Sequence, residues 1–137
     1  MSLWEHACRA GTTTAYHTGA RISDDTGWYS NNSDSKTHEA GKKTANAWGL
    51  YDMHGNVWEW VWDWYGEYTG TATDPKGPCT GSYRILCGGS WIFGARYVRS
   101  ATRGGSKPYY GGYWLNSFGS CARPPEPCGK EQKIQSR

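Results

Sequence analysis

Between Val57 and Tyr65 the chain reads Val-Trp-Glu-Trp-Val-Trp-Asp-Trp-Tyr, with a tryptophan at every second position. A period of two belongs to an extended strand, whose side chains alternate between faces. The run therefore predicts a strand that places Trp58, Trp60, Trp62 and Trp64 together on one packed face. Val57, Glu59, Val61, Asp63 and Tyr65 fall on the other face, so two carboxylates sit beside a sheet.

The rest of the composition says how such a strand must be housed. The 137 residues fit one domain, and 9 Trp and 10 Tyr stand beside only 2 Phe, 2 Met and 19 Gly. That mixture predicts a loop-rich fold in which aromatic rings fill a core that few aliphatics supply. Trp4 to Ala10 reads as the end of a helix that begins before the chain does, stopped by Gly11. Thr12 to Asn46 is polar and turn-rich. Tyr83-Arg84-Ile85-Leu86-Cys87 reads as a second strand ending at Gly88-Gly89, and regularity then fades until a last strand near Ser120–Arg123. Pro124-Pro125 closes a single domain over 1–125, leaving 126–137 as a tail. No stretch approaches the roughly 20 apolar residues of a membrane span. The N-terminus lacks a basic-then-apolar secretion pattern, and the compartment stays open.

The formal net charge of +3 hides a division along the chain. Residues 1–75 hold 10 Asp/Glu against 5 Lys/Arg, whereas 76–125 hold 7 Lys/Arg and no acid. A basic field interleaved with aromatics suits nucleic acid or another anionic ligand. Its plainer explanation is arginines that hold loops together through backbone carbonyls and carboxylates. Five cysteines, Cys8, Cys79, Cys87, Cys121 and Cys128, form no CxxC pair, so neither a zinc ribbon nor a complete disulfide framework is signalled. Cys79 with Cys87, or Cys121 with Cys128, could bridge, and buried inert thiols are the alternative.

The run from Asn46 to Trp60, with Asp52-Met53-His54-Gly55-Asn56-Val57-Trp58-Glu59 at its centre, is followed by Gly88-Gly89-Ser90-Trp91 and Arg99-Ser100-Ala101-Thr102-Arg103. Together with Ala7-Cys8-Arg9-Ala10-Gly11-Thr12 these motifs resemble the formylglycine-generating enzyme (sulfatase-modifying factor) family over residues 4–125. The likeness covers the C-terminal portion of the usual domain, so the chain is N-terminally short relative to the family. The resemblance implies an α+β, C-type-lectin-like fold with little regular structure. Family oxidases carry two copper-binding cysteines just after the Gly-Gly-Ser-aromatic motif. Here Ile92-Phe93-Gly94-Ala95-Arg96-Tyr97-Val98 contains none, so neither copper nor oxidase catalysis is expected. His6, His17, His38 and His54 show no metal-ligand spacing. The resemblance also implies a structural Ca²⁺ held by Asp52, Gly55, Val57 and Glu59, hard oxygen donors on a glycine-relieved turn. Without calcium, Asp52 would cap the loop and Glu59 would pair with an arginine.

Residues 92–117 are dominated by Tyr, Gly and Ser, the composition of antibody binding loops. This segment is similar to the binding proteins diversified by diversity-generating retroelements, some of which use the same scaffold. Such systems randomise adenines in AAY codons. Ile92, Phe93, Gly94, Tyr97, Thr102, Gly104, Gly105, Ser106, Tyr109, Tyr110, Gly112 and Tyr113 can all be reached from AAY, and Lys107 and Trp114 cannot. The expectation is a non-catalytic binder that shows this surface to a protein or other macromolecular ligand. Nucleic acid is a secondary possibility, surface display would suit the role, and an oxidase-family accessory protein is the alternative.

Overall fold

The computed structural model describes residues 2–67 and 77–109. Its first element, α1, spans Leu3–Arg9, and the Ser2 hydroxyl accepts a hydrogen bond from the Glu5 N–H at 3.2 Å. That contact caps an otherwise unsatisfied N–H, so Ser2 is the N-cap and the helix begins at Leu3. Ser2 standing three residues ahead of Glu5 is the sequence signal for this start. Ala10, left-handed at φ 46°, ends the helix one residue before Gly11. None of the described helices is long and apolar enough to cross a membrane.

Two sheets follow. β1 (Gly27–Trp28) and β2 (His54–Gly55) pair in parallel, with Gly27 opposite His54 and Trp28 opposite Gly55. β3 (Glu59–Trp64), β4 (Arg84–Cys87) and β5 (Arg103–Ser106) form an antiparallel sheet in the order β3-β4-β5. A 3₁₀ turn, Ala95–Tyr97, lies between β4 and β5. β3 and β4 are the strands expected from alternation. β5 was not expected, because Arg-Gly-Gly-Ser has little strand propensity, and it is recruited by the open edge of β4. The strand expected near Ser120–Arg123 lies outside the described residues.

Register decides which face of β3 is buried. Val61 aligns with Ile85 and Gly105, while Trp60 aligns with Leu86 and Gly104. Val61, Ile85 and Cys87 make one core, and Trp4 of α1 packs on it. The indole face is thus the less buried side of β3, contrary to the reading of the tryptophans as packed core. Trp58 is 9% exposed, but Trp62 is 40% exposed. The ladder is irregular between Val61 and Trp64, where Arg84 is the Cα partner of Trp64. The Arg84 guanidinium lies 3.5 Å from the Trp64 ring centroid and 4.5 Å from that of Trp62, donating to the Trp62 carbonyl. Cation–π stacking on tryptophan, the ring best suited to it, holds these indoles at the surface.

Tyr16, Tyr29 and Val98 make a second core. His54, fully buried beside it, donates from Nδ1 to the Val98 carbonyl at 2.7 Å and accepts the His17 backbone N–H at Nε2, 3.2 Å away. The two partners fix the neutral tautomer. Cys8 and Cys87 are free and buried, and Cys79 is disulfide-bonded, which rules out the Cys79–Cys87 bridge.

Candidate functional site

The segment Asp52–Glu59 runs between the two sheets. Asp52 takes a left-handed φ of 56°, and its Oδ2 accepts the Gly41 N–H at 2.7 Å. Its Oδ1 is buried with no hydrogen-bond partner. Gly55, at φ 95°, leaves no room for a side chain, since a Cβ would stand 1.9 Å from the Trp28 carbonyl oxygen. The Gly55 carbonyl accepts the Val57 N–H at 2.9 Å, folding the turn back towards Glu59.

Glu59 accepts from Trp4 Nε1 at 2.7 Å, so an indole and not an arginine is its partner. Burial pushes the Glu59 carboxyl up, the Trp4 donor opposes this, and the Asp52 charge pushes it further up. Two acidic groups within electrostatic reach, one with an orphaned oxygen, are the arrangement a hard cation would relieve. Among the described residues no group of three or more His, Cys, Asp or Glu side chains converges on a metal position. A cation here would therefore need backbone carbonyls alongside the two carboxylates. The seven residues just after Trp91, 92–98, hold no cysteine, and burial pushes the free Cys8 and Cys87 thiols up to about 12, away from the thiolate form a copper ion would take.

Beyond Trp91 the chain forms an open surface around the 3₁₀ turn. Main-chain bonds hold it: Ser30 N–H to the Phe93 carbonyl at 3.0 Å, Phe93 N–H to Ser90 at 3.1 Å, and Tyr97 N–H to Gly94 at 2.9 Å. Ile92 and Tyr97 are each 42% exposed. Phe93 is half-buried, with its ring 5.7 Å from Trp58 and 5.6 Å from Tyr97. A Cβ on Gly94 would meet nothing nearer than Ser30 Oγ at 4.0 Å. The Thr102 hydroxyl donates to the Arg96 carbonyl, completing the group.

The remaining candidate positions are distributed. Gly104 joins this group through the Trp58 ring, 3.6 Å from where its Cβ would stand. Gly105 lies on the opposite face, where a Cβ would come within 3.1 Å of the Tyr65 ring. Ser106 pairs with Arg84 at the far end of β5, and Tyr109 beyond it is 78% exposed. Tyr110, Gly112 and Tyr113 lie outside the described residues. Ser30 had no signal in the sequence, because it reaches this surface only across the fold.

Among the described residues, one α-helix, a two-stranded parallel sheet, a three-stranded antiparallel sheet and long ordered loops held by main-chain and glycine contacts make an α+β, C-type-lectin-like scaffold. Residues 2–115 match the family described as the Sulfatase-modifying factor enzyme 1-like domain, and the chain belongs to it. Among solved structures it is similar to Treponema denticola variable protein 1, with 40% identity and a TM-score of 0.68 over 77% of this chain and 40% of that one. Among curated proteins it shares 50% identity over 52 residues with the serine/threonine-protein kinase pkn1 of Chlamydia caviae, covering 34% of this chain and 8% of the kinase. It shares 41% identity over 69 residues with the formylglycine-generating enzyme of Streptomyces coelicolor, covering 46% of this chain and 22% of the enzyme. The chain spans less than half the length of each of these relatives.

Proposed function

We propose that this protein is a non-catalytic ligand-binding protein whose surface around residues 92–113 is diversified by a retroelement, as the likeness to a variable protein suggests. The observation that carries the reading is that the 92–97 loop is held by main-chain atoms. Ile92 and Tyr97 are exposed and a Cβ added at Gly94 would meet nothing nearer than 4.0 Å, so these positions can change without removing one of the main-chain bonds that hold the loop. Diversification of this kind is tolerated only where side chains are not structural. Deep sequencing of the region encoding residues 88–122 across a population of the source tests it. Substitutions confined to the AAY-reachable positions are expected. An invariant region would instead return the chain to a fixed-ligand or accessory role.

Calcium is part of this reading. The Asp52 and Glu59 carboxylates with the Gly55 and Val57 carbonyls would hold Ca²⁺, and the ion would supply positive charge to two acids that the fold brings near each other. Its role is structural: it fixes the turn that joins the two sheets. At a hundredfold excess over Kd it should add about 2.7 kcal/mol of stability, removable by EGTA. Glu59→Gln should abolish that response. A melting temperature indifferent to both calcium and chelator would dismiss the site.

A further inference from the structure

We infer that the surface around the 3₁₀ turn takes an acidic protein face as its partner, an inference that rests on the binding reading above. Arg84, Arg96, Arg99, Arg103 and Lys107 are the ionised side chains of residues 77–109, which contain no carboxylate. The fold uses two of these cations internally. Arg84 is stacked on Trp62 and Trp64, and Arg103 donates to the Gly66 carbonyl while lying 5.3 Å from the Tyr65 ring centroid.

Arg96 is exposed on the same short turn as Tyr97, and Arg99 is exposed just after the turn's Val98 cap. Arg99 spends its Nε on the Arg96 carbonyl, and among the described residues the Arg96 guanidinium contacts only the Tyr97 ring, 4.7 Å away. The ion pairs among the described residues, Arg9 with Glu5 and Lys42 with Glu39, all belong to the other half of the chain. Two neighbouring guanidinium groups with no carboxylate partner among the described residues repel each other, and each is a planar fork shaped to hold one.

The aromatic geometry favours protein over nucleic acid. Base stacking needs free ring faces. Arg96 lies over one face of Tyr97, and the half-buried Phe93 packs edge-on against Trp58 and tilted against Tyr97, so the rings of the 3₁₀ turn offer little free face, while the exposed Tyr109 stands apart beyond β5. What the turn exposes is Ile92, Tyr97, Arg96 and Arg99, the apolar, aromatic and guanidinium mixture of a protein hot spot.

The test measures anisotropy of a fluorescein-labelled Glu-Tyr random copolymer, and of a labelled oligouridylate of equal charge, against the full chain. The copolymer should bind at least tenfold tighter than the oligouridylate. Arg96→Glu should weaken copolymer binding at least tenfold, while Arg21→Ala, an exposed arginine elsewhere, leaves it unchanged. Arg96 makes no side-chain hydrogen bond among the described residues, so Arg96→Glu should keep the parent melting temperature, and that is checked alongside. Equal or tighter oligouridylate binding, no copolymer binding, or indifference to Arg96→Glu would overturn the inference. Diversity at positions 92–113 combined with such indifference sinks only the acidic partner. Invariant positions combined with Arg96-dependent binding sink diversification and keep the acidic partner.

Discussion

Gly55→Ala is expected to cost more than about 4 kcal/mol, enough to unfold a domain of ordinary marginal stability at moderate urea. Two effects combine at this position. The φ of 95° lies where L side chains are strained, and the added Cβ would sit 1.9 Å from the Trp28 carbonyl oxygen and 2.8 Å from its carbon. Those atoms belong to the strand paired with Gly55, so relief requires the ladder itself to part. The partner strand has the same weakness, because a Cβ on Gly27 would stand 2.2 Å from the His54 carbonyl oxygen. Backbone has thus been packed against backbone, a contact only glycine permits. Gly41→Ala is the control: its φ is 77° but nothing lies within 4 Å of its Cβ, so it should lose only about 1 kcal/mol from dihedral strain. Urea midpoints for the two variants decide the matter. Equal losses would mean that the close approach contributes nothing and strain is the whole effect.

This pairing also shows where the sequence was legible. Alternation over Val57–Tyr65 located β3 to within two residues, because strand period survives in any environment. It could not say which face was buried, since both carry large apolar groups. That choice depended on Trp4, Ile85 and Cys87, which reach the Val61 side from distant parts of the chain. The indoles, large and able to stack on Arg84, were left on the wetter side. The two-residue strands β1 and β2 gave no periodic signal at all. Family motifs marked Asp52, Gly55, Val57 and Glu59, but the Trp4 donor to Glu59 is 55 positions away and nothing local announces it. The candidate binding positions were legible as composition only. Their division between the two faces of β5, Gly104 on one and Gly105 on the other, required the register.

Acid should remove about 3 kcal/mol of stability between pH 6.5 and 4 through His54 alone. Burial is the main cause, lowering its pKa from 6.5 to about 4, while the bond to the Val98 carbonyl opposes the shift and His17 adds to it. The native state holds His54 neutral, with Nε2 accepting the His17 N–H. A proton on Nε2 would set donor against donor in a site that water does not reach. The folded pKa lies below the unfolded one, so the unfolded chain binds more protons throughout that window. The stabilisation is full above pH 6.5 and is lost as pH falls towards 4. His17, stacked 4.8 Å from His54 and lowered by its own burial, acts in the same direction. Glu59 acts oppositely, because its raised pKa makes the ionised native carboxyl costly as pH rises past the usual carboxylate range. Bound calcium would cancel that cost. Urea midpoints at pH 7.5, 5.5 and 4.5 should therefore fall more steeply with calcium than with EGTA, and a flat profile from 7.5 to 5.5 would show that His54 titrates as if exposed.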